Sequence, residues 1–324
     1  MTGSPPAVRR DAHTTGNPEA RTGDIVTFTV GAIGLAWLIA IPLWFDGGLA
    51  SPKFTVTAVA VMTTPTLAVL LVWLVHYRDV GVREWVRRTG LSATPHTGRT
   101  IALALGAWGA TALLVALAGA ASVALGALRL DLSGLSLFRE QLGSAGAEMS
   151  DSQAAAAVTT QVLLAVVVAP LINIVPVLGE EWGWRGWLLP RLLQRGLWPA
   201  LLWSGLIWGV WHAPLTLLGY NYPELGAGAA ALFVGACLLL GVLVGWLRLY
   251  SGSVWPPVLA HATLNATAGL IVLLGDAAAP PNLAIVGITG LVGWVLLAAV
   301  GLALFRIRPM NTGAIPTKKT TASI

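Results

Sequence analysis

Eight long runs of the chain carry no Asp, Glu, Lys or Arg: 25–45, 54–77, 100–128, 152–179, 196–223, 225–247, 249–275 and 277–305. A helix needs about 20 mostly apolar residues to cross ~30 Å of hydrocarbon, and every run is that long. Within lipid the backbone must satisfy its own hydrogen bonds, so only helices and closed barrels span. No run shows the ~10-residue alternation of a barrel strand. The expected fold is therefore all-α: a polytopic membrane helical bundle with eight transmembrane helices. Composition supports this. Charged residues make up 10% of the 324 and apolar residues 56%, where a soluble domain carries roughly 25% charged. A soluble enzyme and a nucleic-acid binder with a broad basic face are both excluded.

The net charge of +5 is explained by the rule that Lys and Arg collect in cytoplasmic loops. With the N-terminus inside, the outer segments hold only Lys53, Arg129 and Arg139, and the other 16 of the 19 basic residues lie inside. The first run is too long for a signal peptide and has no small-residue cleavage site close behind it, so it reads as an uncleaved span. Residues 25–306 form one membrane domain, between disordered cytoplasmic tails at 1–24 and 307–324. The expected location is the plasma (inner) membrane of a bacterium, given the short loops and the Ala/Gly/Arg-rich composition. Cys237 is the single cysteine, which excludes a disulfide framework and a cysteine metal site. In the basic loop 78–99, Val82, Trp85 and Val86 among arginines suggest a short amphipathic helix on the inner leaflet. Loop 129–152 has enough Leu and Phe to lie on the outer surface.

Ionisable groups inside spans cost roughly 2.5 to 3.5 kcal/mol each even on a lenient scale, and they mark candidate functional sites. Here they cluster in three segments: Gly179-Glu180-Glu181-Trp182-Gly183-Trp184-Arg185, Trp208-Gly209-Val210-Trp211-His212, and His261-Ala262-Thr263-Leu264-Asn265. Glu181 and Arg185 stand at i,i+4 and can pair. Glu180 is turned about 100° away from Glu181. His261 and Asn265 share a helix face. Pro170 and Pro176 predict a kink upstream. At 1.5 Å per residue, Glu180 and His212 lie ~20 Å from the cytoplasmic end and His261 ~12 to 15 Å, so the groups can meet. Each has a structural explanation too: a helix-to-helix hydrogen bond for His212, polar glue for His261 and Asn265, a self-neutralising pair for Glu181 and Arg185, and a protonated carboxyl for Glu180.

Together, an acid, two imidazoles and an amide can run general acid–base hydrolysis, with water as nucleophile and donors for an oxyanion. Glu180, His212 and His261 are also acceptable Zn²⁺ ligands. HExxH is absent, so the usual zincin helix is not present, and no serine nucleophile elbow surrounds Ser204.

The three segments, in this order on successive spans, resemble the CPBP (Abi) family of intramembrane proteases, which includes the type II CAAX prenyl endopeptidase. The resemblance covers roughly 155–275. One departure is visible: the family usually has Phe where this chain has Trp208. The resemblance implies Glu180 as the water-activating base assisted by His212, His261 with Asn265 on the oxyanion side, and Glu181 and Arg185 in support. It implies a metal-free glutamate-type mechanism without cofactor, with Zn²⁺ as the alternative. The implied partners are membrane lipid and a peptide or membrane-protein substrate, with no nucleic acid. A non-catalytic or weakly catalytic bacteriocin-immunity or scaffold protein of the same fold is the second reading. A proton relay through Glu180 and His212 is a third, against which no inverted repeat of the hydropathy pattern is visible. Trp184, Trp187, Trp208 and Trp211 are candidates to line a substrate groove, or else to pack and anchor at the interface. Gly205-x-x-x-Gly209 and Gly241-x-x-x-Gly245 permit close helix contact.

Overall fold

The computed structural model describes residues 21–92, 97–144, 146 and 148–310. Most of both tails lies outside the described residues. Ten helices form the body: α1 Thr22–Phe45, α2 Phe54–His76, α3 Val82–Arg88, α4 Thr97–Ala124, α5 Ser136–Ser144, α6 Asp151–Arg195, α7 Leu197–Trp211, α8 Gly228–Ser251, α9 Trp255–Leu273 and α10 Leu291–Ile307. Among the described residues there is no strand, only one antiparallel bridge between Leu130 and Gly275.

Six of these helices are long and apolar enough to cross a membrane: α1, α2, α4, α6, α8 and α9. The runs 196–223 and 277–305 give shorter helices than expected. α7 has 15 residues and α10 has 17, or ~22 and ~26 Å of rise. Prolines account for both. Pro214 cannot continue the α7 ladder, so α7 stops at Trp211 and His212 sits in the break before a four-residue turn of helix, Ala213–Thr216. Gly219, at φ 96°, then reverses the chain. In the last run Pro280 and Pro281 keep 277–290 out of helix. α1 begins slightly earlier than the charge pattern suggests, because Asp24 is buried in its first turn and accepts the Tyr77 hydroxyl.

α6 carries the site. Its 45 residues are interrupted by two π-helical segments, Leu164–Val168 and Trp182–Leu188. Each segment ends two residues before a proline, Pro170 or Pro190. Proline offers no N–H to the carbonyl four residues back and its ring crowds that carbonyl, so the turn widens to i→i+5. The distortion at Pro170 matches the expected kink. Pro176 lies within a regular helical stretch, and the second wide turn is the larger departure.

Glycines set how close the helices come. A Cβ at Gly179 would stand 2.8 Å from the Met62 carbonyl oxygen, and one at Gly186 2.6 Å from that of Thr89. α7 meets α8 in the same way: a Cβ at Gly209 would lie 2.7 Å from Val234 Cα, and one at Gly241 3.0 Å from Gly205 Cα. Both glycine pairs therefore face a neighbouring helix. α9 is central, packing on α4, α6 and α8, and it is buried without interruption from Pro256 to Leu264.

The two loops fold back onto the body. α3 buries Trp85 beside Tyr77 and under the Arg191 guanidinium, leaving Arg83 and Arg87 exposed. α5 buries Leu135 and Phe138 against Ala154 and Val158 of α6. The loop before α5 is held by Asp131, whose carboxylate accepts the Gly134 N–H at 2.7 Å. That bond keeps the Asp131 carboxyl below the usual range.

Candidate active site

The Glu180-Glu181 pair divides between two environments, as the 100° turn requires. Glu181 points toward α9: its Oε1 accepts from Arg185 at 2.8 Å and from His261 Nδ1 at 2.9 Å. Glu181 and Arg185 are both 0% exposed. The i,i+4 pair read from sequence thus forms, and it extends across helices to His261. A carboxylate only accepts, so Nδ1 of His261 carries the proton and Nε2 is left for other work.

Glu180 faces the other way, toward α7. Its Oε2 accepts the Trp208 indole N–H at 2.9 Å, and the side chain is 2% exposed. His212, half-buried at the end of α7, places Nδ1 2.8 Å from the Trp208 carbonyl. A carbonyl cannot donate, so Nδ1 holds the proton and Nε2 is the basic nitrogen. Cys237 Sγ lies 3.9 Å from the same Nδ1.

These groups share one cavity of about 460 Å³, lined by Glu180, Trp208, Trp211, His212, His261 and Asn265 with apolar walls that include Met62, Leu240 and Leu264. Asn265 is exposed there, one helical turn along the same face from His261. α6, α7 and α9 thus deliver all four candidate catalytic residues to one space. Glu181 and Arg185 stay behind the wall. Among the described residues no group of three or more His, Cys, Asp or Glu side chains is arranged to hold a metal ion, so Glu180, His212 and His261 do not gather as a ligand set.

The tryptophans are partly reassigned. Trp208 and Trp211 line the cavity, with their N–H groups bonded to Glu180 and to Thr64 Oγ1. Trp184 does not line it. It is fully buried between the rings of Phe28 and Trp211, because the wide turn rotates it into the core. Trp187 is likewise buried, stacked on Phe28 and under Arg191. Three polar lining residues escaped the sequence reading: Asn173, Tyr220 and Asn221. Asn173 was findable, lying seven residues before Glu180 and so on the same helix face. Asn221, at φ 70°, sits in a loop whose path no periodicity reveals.

Beside this cavity lies a second pocket of about 290 Å³ between α4, α8, α9 and α10, apolar almost throughout. Trp208, Leu240, His261 and Leu264 form the wall the two share.

The fold and site together define a polytopic helical membrane protein with an acid–imidazole–amide cavity. Comparison with known families agrees: residues 157–267, about a third of the chain, match the family described as type II CAAX prenyl endopeptidase Rce1-like. This is the intramembrane-protease family whose three motifs the sequence carries, and the matched segment contains every candidate catalytic residue. No curated protein matches the chain.

Proposed function

We propose that the protein is an intramembrane endopeptidase that hydrolyses a peptide bond near the cytoplasmic side of the membrane. The observation that carries this reading is the convergence of Glu180, His212, His261 and Asn265 on one cavity. The match of residues 157–267 to a protease family supports it.

With Oε2 of Glu180 held by Trp208, the other carboxylate oxygen takes a proton from water, and His212 Nε2 orients that water. The hydroxide oxygen adds to the scissile carbonyl. The oxyanion is met by Asn265 and by Nε2–H of His261, which the Glu181 carboxylate supports as an imidazolium. Glu180 then returns its proton to the leaving amine as the C–N bond breaks. Two carboxylates, one guanidinium and one imidazolium leave this buried set neutral. The mechanism uses no metal.

The protein is proposed to sit in the plasma membrane with all eight apolar helices embedded, α7 and α10 as short spans, and both termini cytoplasmic. The 16-to-3 basic asymmetry supports that orientation.

The test is cleavage of a peptide library by purified protein. Glu180→Gln abolishes cleavage, because an amide cannot take the proton. Asn265→Ala lowers turnover by ~10² to 10³, the usual loss for one oxyanion donor. A strong chelator leaves the rate unchanged. Full activity in Glu180→Gln overturns the reading in favour of a scaffold or immunity role. Loss on chelation with recovery on Zn²⁺ replaces the metal-free mechanism.

A further inference from the structure

The geometry points to Trp208 as the positioning residue that holds both members of the water-activating pair, Glu180 through its indole N–H and His212 through its backbone carbonyl. The catalytic part of this inference rests on the proposed protease reading; the structural part does not.

Trp208 touches every ionisable group of the site. Its Nε1 donates to Glu180 Oε2 at 2.9 Å, and its carbonyl accepts from His212 Nδ1 at 2.8 Å. The Arg185 guanidinium lies 4.3 Å from the indole centroid, the His261 ring 5.2 Å and the His212 ring 5.6 Å. The indole N–H is donor-only, so it can bond the Glu180 carboxylate but cannot take the water proton from it. In a desolvated wall such a bond is strong and directional. Trp208 is 2% exposed, so water does not compete for it.

The position of Trp208 is itself imposed. Its neighbour Gly209 lies against Val234 of α8 too closely for a Cβ. That contact fixes the rotation of α7, and therefore where the indole and the carbonyl point. The apolar face of the same indole closes the wall between the polar cavity and the apolar pocket. Phe would keep the ring over Arg185 and the wall, and would lose only the donor.

The experiment has two arms. In the first, Trp208→Phe is compared with wild type in the cleavage assay. A charge-assisted hydrogen bond of this kind corresponds to about 10- to 100-fold. The expected result is a kcat lower by that factor with KM within twofold and an unchanged unfolding temperature, since the carbonyl that holds His212 is untouched. A kcat within threefold of wild type overturns the inference. In the second arm the indole N–H resonance of Trp208, assigned by its loss in Trp208→Phe or Trp208→Tyr, is followed in Glu180→Leu. The expected result is an upfield shift as the acceptor is removed, and an unmoved resonance overturns the inference. This arm needs no turnover. If wild type cleaves no peptide while the resonance shifts, the protease reading falls and the hydrogen bond stands.

Discussion

Replacing Arg185 by alanine removes the only guanidinium bonded to Glu181, a carboxylate with 0% exposure. Glu181 Oε1 is shared at 2.8 Å by Arg185 and at 2.9 Å by His261, while its Oε2 has no hydrogen bond. After the substitution the carboxylate depends on His261 alone. Breaking a buried ion pair in this way costs on the order of 3 to 5 kcal/mol. Loss of the guanidinium over Trp208 adds about 1 kcal/mol. Against a total stability of about 5 to 15 kcal/mol, that is a large fraction. Glu180→Gln keeps an acceptor for the Trp208 N–H and changes little. Arg185→Met combined with Glu181→Gln removes both charges and recovers most of the loss. The chain supplies its own reporter, because its single cysteine, Cys237, is buried. Reaction of that thiol with a maleimide dye during a thermal ramp in detergent follows unfolding directly. The expected order of unfolding temperature is wild type, Glu180→Gln, the double variant, then Arg185→Ala. Arg185→Ala unfolding no earlier than Glu180→Gln, or no earlier than the double variant, refutes the buried-pair reasoning.

Gly183→Ala brings a Cβ into overlap with Pro65 Cβ and to 3.0 Å from the Pro65 backbone carbon. Neither can move easily, so it destabilises by ~1 to 3 kcal/mol in the same thiol assay. Gly109→Ala, with open space at its Cβ, is the control and gains at most ~1 kcal/mol. For orientation, cysteines placed at Arg83 and Ser144 in a Cys237→Ala background label from opposite sides of sealed vesicles. Labelling from the same side removes the proposed topology.

Charge punctuation made the helical architecture legible, since every loop but the shortest carries Arg, Lys, Asp or Glu. The i,i+4 geometry was equally legible, and it brought Glu181 to Arg185 and put His261 and Asn265 on one face. The glycine pairs of α7 and α8 also face as the pattern suggests. What stayed hidden are contacts between groups far apart in the chain. Nothing local in Glu181 indicates that His261, 80 residues on, is its second partner. Nothing in Trp208 indicates that its N–H meets Glu180. The full-length spans expected for 196–223 and 277–305 overrode a local signal that was present: Pro214, Pro280 and Pro281 sit inside those runs, and hydropathy outweighed them.

The wide turn at 182–188 makes the protein sensitive to the length of its chain in a way that residue identities do not show. A π turn holds one residue more than an α turn, so deleting any one residue there allows the helix to close to regular winding. Everything downstream would then rotate by about 100°. Arg191 would swing off the rings of Trp187 and Trp85 that now hold it, while Glu180 and Glu181, upstream, kept their places. A single in-frame codon loss in this segment would thus leave every catalytic side chain encoded and still pull the cytoplasmic end of α6 away from α3. Among related chains, gaps are expected to fall outside 182–188, however freely the letters within it change.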